Sequence, residues 1–171
     1  MLIDLYSSEE SELQSALKDL EVKHGKIGSL INLNQSSTGS ESLSLEDEEN
    51  SFLRNTFITV KNTAASIKQA SNSGTRRSLF ISVCRMDGQL GMGSGKYGAV
   101  VSGLSGLVKT ASIEWPEVFC RFVDLNPKLS TDKATNCILQ EIHDPDSNIK
   151  EVGYFQSDKS AVTRVGVSPI K

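Results

Sequence analysis

Apolar and polar residues follow one another along the chain in blocks that predict strands and helices in turn. Residues 2–5 form a short apolar run that is typical of a strand. Leucines at helical spacing then predict a helix that Gly25 would end, with the hydroxyl of Ser7 or Ser8 as its N-terminal cap. Residues 27–33 predict a second, buried strand.

The segment from residue 35 to residue 50 has a different composition, because it is polar, acidic and rich in serine. It predicts a loop that runs into the start of a helix. Apolar positions then mark one face of a long helix over residues 51–70. The small polar residues 71–75 predict a turn, and the apolar residues 78–84 predict a strand.

The second half of the chain continues the alternation. A glycine-rich loop over residues 87–98 precedes a helix of small residues over 99–114, which Trp115 ends because Pro116 disfavours helix in the residue before it. The remaining predicted elements are a strand at 119–125, a helix at 131–143 with Ala134, Cys137, Ile138 and Ile142 facing inward, and a strand pair at 151–155 and 161–165 around a turn at 157–159.

This order of elements predicts a single α/β domain over residues 1–171 with a mainly parallel sheet. Right-handed crossovers would place helices on both faces of that sheet, as in a doubly wound fold. Apolar residues make up 37% of the chain and charged residues 23%, which argues against global disorder.

Charge and hydropathy exclude two classes of partner. The net charge of −3 argues against nucleic acid, which usually selects a basic face. No apolar run approaches the roughly 20 residues that span a bilayer, and the N-terminus lacks the basic start and apolar stretch of a secretory signal. We therefore expect a cytoplasmic protein that binds neither nucleic acid nor membrane.

The cysteines and histidines do not predict a metal site. Cys84, Cys120 and Cys137 lie far apart in the sequence, and His24 and His143 are isolated. Without a CxxC pair, zinc ligation is not expected, and an odd number of thiols fits a reducing compartment. We expect all three thiols to be buried or partly buried.

Residues 93–98, Gly-Ser-Gly-Lys-Tyr-Gly, match the pattern GxGxxG. A dinucleotide site needs this pattern in the tight turn after the first strand, where backbone N–H groups meet the pyrophosphate. Here residues 85–92 separate the motif from its strand, and two strand–helix units come before it. It is not a P-loop either, because Tyr97 follows Lys96 where Ser or Thr would bind Mg²⁺. We predict no cofactor-binding residues.

The residues of a carbonyl reductase are only partly present. Such an enzyme needs a hydroxyl that holds the substrate oxygen, a tyrosine that donates the proton and a lysine one helical turn later that lowers the pKa of the tyrosine. Ser82 and Tyr97 are the candidates for the first two roles, but Val101 stands four residues after Tyr97. Lys96 is adjacent to Tyr97 and would point elsewhere, and thirteen residues before Tyr97 the occupant is Cys84. We therefore predict no catalytic residues, with Ser82 and Tyr97 as degenerate candidates.

One stretch carries a family resemblance. Residues 99–116, followed by Phe-Cys-Arg-Phe-Val-Asp-Leu at 119–125, resemble the ketoreductase region of polyketide synthases, where a helix of the type GLGRTAxLEHP leads to a strand ending in VDL. The Glu-Trp-Pro form at 114–116 is most similar to bacterial polyunsaturated fatty acid synthases. Residues 27–34 resemble the fourth strand of that family, and residues 153–165 resemble its closing hairpin.

The resemblance implies a truncated, Rossmann-like fold of the short-chain dehydrogenase type. Ketoreductases of this family contain two such halves: the first is structural and free of cofactor, and the second binds NADPH and carries serine, tyrosine and lysine. Residues 2–5 resemble the third strand of a dehydrogenase, and Lys171 stands about where the catalytic half should start. We therefore expect the structural half, with NADPH bound by a missing catalytic half.

The same resemblance implies the partners. The parent would be a multidomain beta-ketoacyl synthase, an acyltransferase whose ketoreductase reduces 3-oxoacyl chains on the phosphopantetheine of an acyl carrier protein. The expected partners are the catalytic half, the other synthase domains and the carrier protein. Two alternatives stay open: a free-standing reductase that uses Ser82, Tyr97 and Lys96, and an interaction module that uses the acidic segment 40–50.

Small residues along the helix over 99–114 permit a close contact. They are Ser102, Gly103, Ser105 and Gly106. They would let the helix approach a second copy in a homodimer or a neighbouring half-domain, as the resemblance to short-chain dehydrogenases implies. Alternatively, they would let the helix pack closely on the sheet of its own domain.

Overall fold

Five strands form one sheet in the order β1-β2-β3-β4-β5; three helices, α2, α3 and α4, pack against it, and α1 packs against α2. The computed structural model describes residues 9–34, 43–74, 77–93, 99–156 and 162–167, without the side chains of residues 43–49 and 99–101. The strands are β1 (Ser29–Leu33), β2 (Leu79–Cys84), β3 (Phe119–Leu125), β4 (Glu151–Phe155) and β5 (Thr163–Val167). The helices are α1 (Glu10–His24), α2 (Leu43–Asn72), α3 (Ala99–Glu114) and α4 (Thr131–His143).

Strands β1 to β4 are parallel to one another, and β5 pairs with β4 in the antiparallel direction. This confirms the mainly parallel α/β sheet with a closing strand pair. The register places Ser82 of β2 between Asn32 of β1 and Phe122 of β3. Every residue of β2 and β3 is buried, as expected for the central strands of a sheet that is covered on both faces.

The two faces of the sheet carry separate apolar clusters. On one face α2 and α3 pack through residues such as Val60 and Val108 against Phe80 and Phe122. On the other face α4 packs through Ala134 and Cys137, with Ile138 and Ile142 partly buried. The strand residues of this second cluster are Leu79, Ile81, Val83, Phe119, Val123, Leu125, Val152 and Tyr154. The predicted inward face of α4 is confirmed.

The crossover connections do not all have the same hand. Strands β1 to β4 follow one another across the sheet in chain order and are all parallel. The helices α2 and α3 lie on one face, whereas α4 lies on the other. Each connection moves one strand further in the same direction across the sheet, but α4 crosses on the opposite face from α2 and α3. The β3–α4–β4 crossover therefore has the opposite hand to the two before it. Uniformly right-handed crossovers, which the sequence predicted, are therefore wrong for one connection.

Strand β1 is less buried than predicted. Ile31 and Leu33, which face the α4 side of the sheet, are 41% and 49% exposed. The opposite side of β1 is covered, since Leu30 packs against the cluster under α2 and Asn32 is buried. The prediction of a buried strand is wrong for one face, because the position of a strand within the sheet is a tertiary property that its apolar composition does not reveal.

Two helix starts differ from the predictions. The N-cap of α1 is Glu9, which makes no side-chain capping hydrogen bond, and the predicted caps Ser7 and Ser8 lie outside the described residues. Helix α2 begins at Leu43, so residues 43–50 of the predicted acidic loop are helical. A serine-rich, acidic sequence is compatible with the first turns of a helix as well as with a loop, because the helix dipole favours negative charge at this end. The predicted strand at 2–5 and turn at 157–159 also lie outside the described residues.

Small residues of helix α3 make close contacts with other elements of the same chain. A Cβ atom at Gly103 would lie 2.9 Å from Cδ2 of Leu53 on α2. The hydroxyl of Ser105 donates to the carboxylate of Glu151 on β4. Two of the four small residues therefore serve contacts within the chain, whereas Ser102 and Gly106 are exposed. None of the described helices combines the length and the apolar character needed to cross a bilayer.

Candidate functional site at the carboxyl ends of the strands

Asp124 lies at the carboxyl end of β3, where parallel α/β sheets usually bind their ligands. Its side chain is fully buried. The backbone N–H of Met86 donates to its Oδ1 at 2.8 Å, and the N–H of Leu90 donates to its Oδ2 at 2.9 Å. The last residues of β3 therefore hold the loop that follows β2.

Asp87 organises the same loop from within. The backbone N–H groups of Gln89 and Gly91 donate to its Oδ1 at 2.7 and 3.0 Å, and the N–H of Gly93 donates to its Oδ2 at 2.7 Å. Asp87 and Asp124 together accept hydrogen bonds from five backbone N–H groups of residues 86–93. Leu90 has a φ of 61° and Gly91 a φ of 78°, conformations that place the N–H groups toward the carboxyls.

The two carboxyls hold the same loop and influence each other's pKa. Burial raises the pKa of Asp124 to about 6, and its contact with Asp87 adds to the rise. Burial would also raise the pKa of Asp87, but the N–H groups of Gln89 and Gly91 and the contact with Asp124 lower it below the usual value of 3.8. As the pH falls, Asp124 therefore takes up a proton before Asp87 does.

Cys84 is the third titratable group at this end of the sheet. Its Sγ donates to Oδ1 of Asp124 at 3.8 Å, and the residue is fully buried at the end of β2. Burial and the charge of Asp124 raise the pKa of this thiol far above its usual value. A thiol in these surroundings stays protonated and is a poor nucleophile.

Backbone contacts fix the loop onto β4. A Cβ atom at Gly88 would overlap the carbonyl oxygen of Tyr154, and one at Gly153 would overlap the carbonyl oxygen of Gly88. Asn126 bridges the two segments, because its Nδ2 donates to the carbonyl of Asp87 at 2.8 Å and its N–H donates to the carbonyl of Tyr154 at 2.9 Å. The loop therefore lies directly across the carboxyl ends of β3 and β4.

The sequence-predicted site residues are not brought together in the described part of the chain. Ser82 lies in the middle of β2, fully buried, and its Oγ accepts a hydrogen bond from Nδ2 of Asn32 at 3.2 Å. Lys96 and Tyr97 lie outside the described residues, and at Val101 only the helical backbone is described. Gly93, the first glycine of the GxGxxG pattern, uses its N–H for Asp87.

A second polar cluster joins β3, α4 and β5 within the core. Arg121 forms ion pairs with Glu141 and, at 2.6 Å, with Asp144. Arg164 donates to Glu141 at 2.6 Å and to Asp144 at 2.7 Å, and the hydroxyl of Tyr154 donates to Glu141. Burial would raise the pKa of Glu141, but the hydrogen bonds from Arg164, Tyr154 and Arg121 lower it. Each of these side chains has a hydrogen-bond or ion-pair partner within the cluster, which is typical of a structural cluster.

The three cysteines are all free and buried, which confirms that prediction. In the ranges that the structure describes, His, Cys, Asp and Glu side chains do not form a group of three that could hold a metal ion.

Sequence reasoning missed both carboxyl clusters. A signal for each was present, because Asp124 lies near the end of an apolar strand and Arg121 interrupts the same strand. Charged residues are almost never fully buried unless they are paired, so each position implied a partner. The identity of that partner, as for Arg121 and Glu141, follows only from the folded chain.

Comparison with known proteins found sequence similarity to part of a fatty acid synthase and structural similarity to a reductase. Over 165 residues it is 30% identical to a polyunsaturated fatty acid synthase from Thraustochytrium, and the match covers 92% of this chain but 5% of that protein. No family model matches the chain.

Solved structures that are similar to this chain identify its fold. The chain superimposes on the RhlG/NADP active-site complex of Pseudomonas aeruginosa with a TM-score of 0.59, at 15% identity over 84% of this chain and 57% of that one. It has the fold of the short-chain dehydrogenases. A 3-ketoacyl-(acyl-carrier-protein) reductase from Brucella melitensis complexed with NADH gives a TM-score of 0.54, at 19% identity over 72% of this chain and 52% of that one. The chain thus spans little more than half the length of these short-chain dehydrogenase structures.

Proposed function

We propose that this chain is the non-catalytic, structural half of a ketoreductase in a multidomain polyunsaturated fatty acid or polyketide synthase. The observation that carries the proposal is the match, over 92% of the chain, to a polyunsaturated fatty acid synthase. The short-chain dehydrogenase fold supports it, because such a fold is what either half of a ketoreductase would have.

The residues at the sequence-predicted catalytic positions favour a structural role over a catalytic one. The candidate hydroxyl of Ser82 is fully buried and accepts a hydrogen bond from Asn32, so a substrate carbonyl cannot reach it without rearrangement of β2. Val101 stands where the lysine that activates Tyr97 would be needed. Catalysis of a carbonyl reduction would therefore have to come from another part of the parent protein.

The described loop does not fit the phosphates of NADPH. Phosphate binding at a glycine-rich turn depends on backbone N–H groups that are free to donate to the ligand. In this chain the N–H groups of Met86, Gln89, Leu90, Gly91 and Gly93 already donate to Asp87 and Asp124. A negative phosphate would also have to approach two buried carboxyls. We therefore assign NADPH to the catalytic half.

In this function the chain supports the half that reduces 3-oxoacyl chains carried on an acyl carrier protein. The partners would be the catalytic half, the neighbouring synthase domains and the carrier protein. The buried cluster around Arg121 and Glu141 suits such a role, because it fixes β3, α4 and β5 relative to one another. A rigid surface on these elements would give the catalytic half a constant position.

The test is binding and turnover with the chain alone and with the segment that follows it in the parent protein. Isothermal calorimetry with NADPH and the oxidation of NADPH by a 3-oxoacyl thioester are the two measurements. We expect neither binding nor turnover for the chain alone, and both when the following segment is present. Micromolar binding of NADPH by the chain alone would overturn the proposal.

The same experiment separates the runner-up, a free-standing reductase. If the chain alone oxidises NADPH, Tyr97→Phe should abolish that activity, whereas Tyr6→Phe, at a tyrosine that was assigned no role, should not. Turnover that depends on Tyr97 would replace the structural role with a catalytic one.

A further inference from the structure

Strand β1 turns an uncovered apolar face toward the α4 side of the sheet. Ile31 and Leu33 point to that side and are 41% and 49% exposed, although their register partners Ile81 and Val83 on β2 are buried. Of the described helices, α2 and α3 pack on the other side with α1 behind them, and α4 has its main strand contact with β3. Parallel sheets are normally covered by helices on both faces, so within the described chain this side of β1 lacks its covering element.

The outer edge of β1 is open to a further strand. Among the described strands, β1 pairs with β2 alone. The N–H of Asn34, which directly follows β1, donates to the carbonyl of Val83 at 2.8 Å, so the alternation along a strand turns the N–H groups of Ile31 and Leu33 away from β2. The sequence of β1, Ser-Leu-Ile-Asn-Leu, contains neither the charged residues nor the proline that protect a free edge.

We propose that the outer edge of β1 pairs with a parallel strand from another part of the parent polypeptide, and that the helix after that strand covers Ile31 and Leu33. This inference rests on the proposed function only in so far as the chain is a part of a longer synthase. The match to the synthase supports such a source, since it covers 92% of this chain but 5% of that protein. The chain also spans 57% of the RhlG chain, whose fold it shares.

The direction of the crossovers places the added helix on the uncovered face. The crossovers through α2 and α3 run from β1 toward β3, with both helices on one face of the sheet. Because nearly all parallel crossovers have the same hand, a unit that starts beside β1 and runs away from β2 carries its helix on the opposite face. That face is the α4 side, to which Ile31 and Leu33 point.

A second copy of this chain would leave the same face uncovered. Identical chains most often associate about a two-fold axis, and contact between two copies of one strand edge then pairs β1 with its copy in the antiparallel direction. The axis of such a pair is perpendicular to the sheet, so α2 of both copies lies on the same face. Ile31 and Leu33 would remain without a helix on the α4 side, which favours a strand and helix of different sequence.

Amide hydrogen exchange on the chain alone and on the intact parent polypeptide tests the proposal. The readout is the protection of the amides of Ile31 and Leu33, which point outward, and the amide of Asn34, which is bonded to β2, is the internal control. We expect the two outward amides to exchange freely in the chain alone and to be protected about a hundredfold more strongly in the parent. Asn34 should be protected in both proteins.

Two results of this experiment would overturn the proposal. The first is unchanged exchange of Ile31 and Leu33 in the parent, because no strand would then pair with this edge. The second is protection of these amides in the chain alone. Protection that increases with protein concentration would assign the edge to a second copy, and protection that does not would assign it to residues 2–5 of this chain.

Leu33→Ser and Leu139→Ser form a matched pair of variants for the covering helix. Leu33 on β1 and Leu139 on α4 are 49% and 47% exposed, so both variants of the chain should fold and keep the protection of Asn34. In the parent, Leu33→Ser should lower the protection of Ile31 about tenfold through lost apolar burial, and Leu139→Ser should leave it unchanged. Equal effects of the two variants would refute the covering of Leu33. The proposed function fails through NADPH binding or turnover by the chain alone, so its failure is distinguishable from a failure at β1.

Discussion

Arg121 of β3 and Glu141 of α4 form an ion pair in which both side chains are almost completely removed from solvent, with exposures of 0% and 1%. Asp144 and Arg164 extend the pair to a cluster of two positive and two negative side chains. Buried charges are tolerated when geometry and hydrogen bonds satisfy them, and removal of one member leaves the others uncompensated. The cluster therefore makes the packing of α4 on the sheet specific to these partners.

Replacement of Glu141 by alanine should destabilise the fold strongly. It leaves Arg121 buried with Asp144 as its remaining acidic partner and deprives Tyr154 of its acceptor. We expect the free energy of unfolding to fall by about 3–5 kcal/mol, measured by urea denaturation. Lys109→Ala, which breaks an exposed pair with Glu151, is the control and should cost less than about 1 kcal/mol. Equal losses in the two variants would contradict the structural importance of the buried pair.

The same cluster predicts a loss of stability in acid. Burial would raise the pKa of both Glu141 and Asp144. Arg164, Tyr154 and Arg121 nevertheless lower the pKa of Glu141 below 4.5, and the N–H of Asp146 and the side chain of Arg121 lower the pKa of Asp144 below 3.8. Carboxyls with lowered pKa stabilise the fold above their usual pKa, and that contribution is lost as the pH falls through the folded-state value. The free energy of unfolding should therefore fall steeply below about pH 4.

The control for this pH dependence is Glu141→Gln, which cannot titrate at this position. Its stability should be lower than that of the natural chain at neutral pH, but the difference should shrink as the pH falls below about 4. Urea denaturation at a series of pH values gives both curves. Parallel curves for the two proteins would show that Glu141 does not carry the acid response.

The close contact between Gly88 and Tyr154 gives a prediction with a matched control. Gly88 has a φ of 74°, and an added Cβ would overlap the carbonyl oxygen of Tyr154. Gly91 has nearly the same backbone conformation, with a φ of 78°, but nothing lies within 4 Å of its Cβ position. Alanine at Gly91 should cost about 1 kcal/mol from the backbone conformation alone.

Alanine at Gly88 should cost several kcal/mol more than alanine at Gly91, because backbone atoms cannot move aside as a flexible side chain can. Thermal unfolding of the two variants measures the difference, which isolates the loop–strand contact from the conformational term. If both variants lose the same stability, the loop does not rest on β4 in solution.

Local patterns predicted much of this fold. The bounds of α3, β3, α4 and β4 agree with the sequence-based predictions, because each has one strong periodicity and a clear terminator such as Pro116 or the Ser130 cap. The start of α2 at Leu43 was missed, since its serine-rich and acidic sequence is equally typical of a loop. The exposure of Ile31 was missed because it depends on which strands lie beside β1, and no local pattern encodes that neighbour.

The site was less predictable than the fold. The hydrogen bond between the N–H of Met86 and Asp124 joins residues 38 positions apart, and the chain between them contains the whole of α3. Such contacts depend on the sheet register, which places Cys84 opposite Asp124. The family resemblance pointed to the strand that contains Asp124, but it gave no role for that carboxyl. The hydrogen-bond partners of Asp124 on the neighbouring strand and loop could be identified only from the three-dimensional structure.

Thr56 on α2 offers a test of how well the core satisfies its polar groups. Its side chain is 1% exposed, and its Oγ1 has no hydrogen-bond partner among the described residues. A buried hydroxyl without a partner carries its full desolvation cost, which valine of the same shape does not. Thr56→Val should therefore raise the free energy of unfolding by about 1 kcal/mol in urea denaturation.

Thr63, which lies further along α2, is the matched control. It is equally buried, but its Oγ1 donates to the carbonyl of Thr59 at 2.8 Å. Thr63→Val loses this hydrogen bond and should lower the free energy of unfolding by about 1 kcal/mol. The two substitutions are chemically identical, so their opposite signs would come from the hydrogen bond alone. If Thr56→Val destabilises the chain as much as Thr63→Val does, the hydroxyl of Thr56 has a partner in solution.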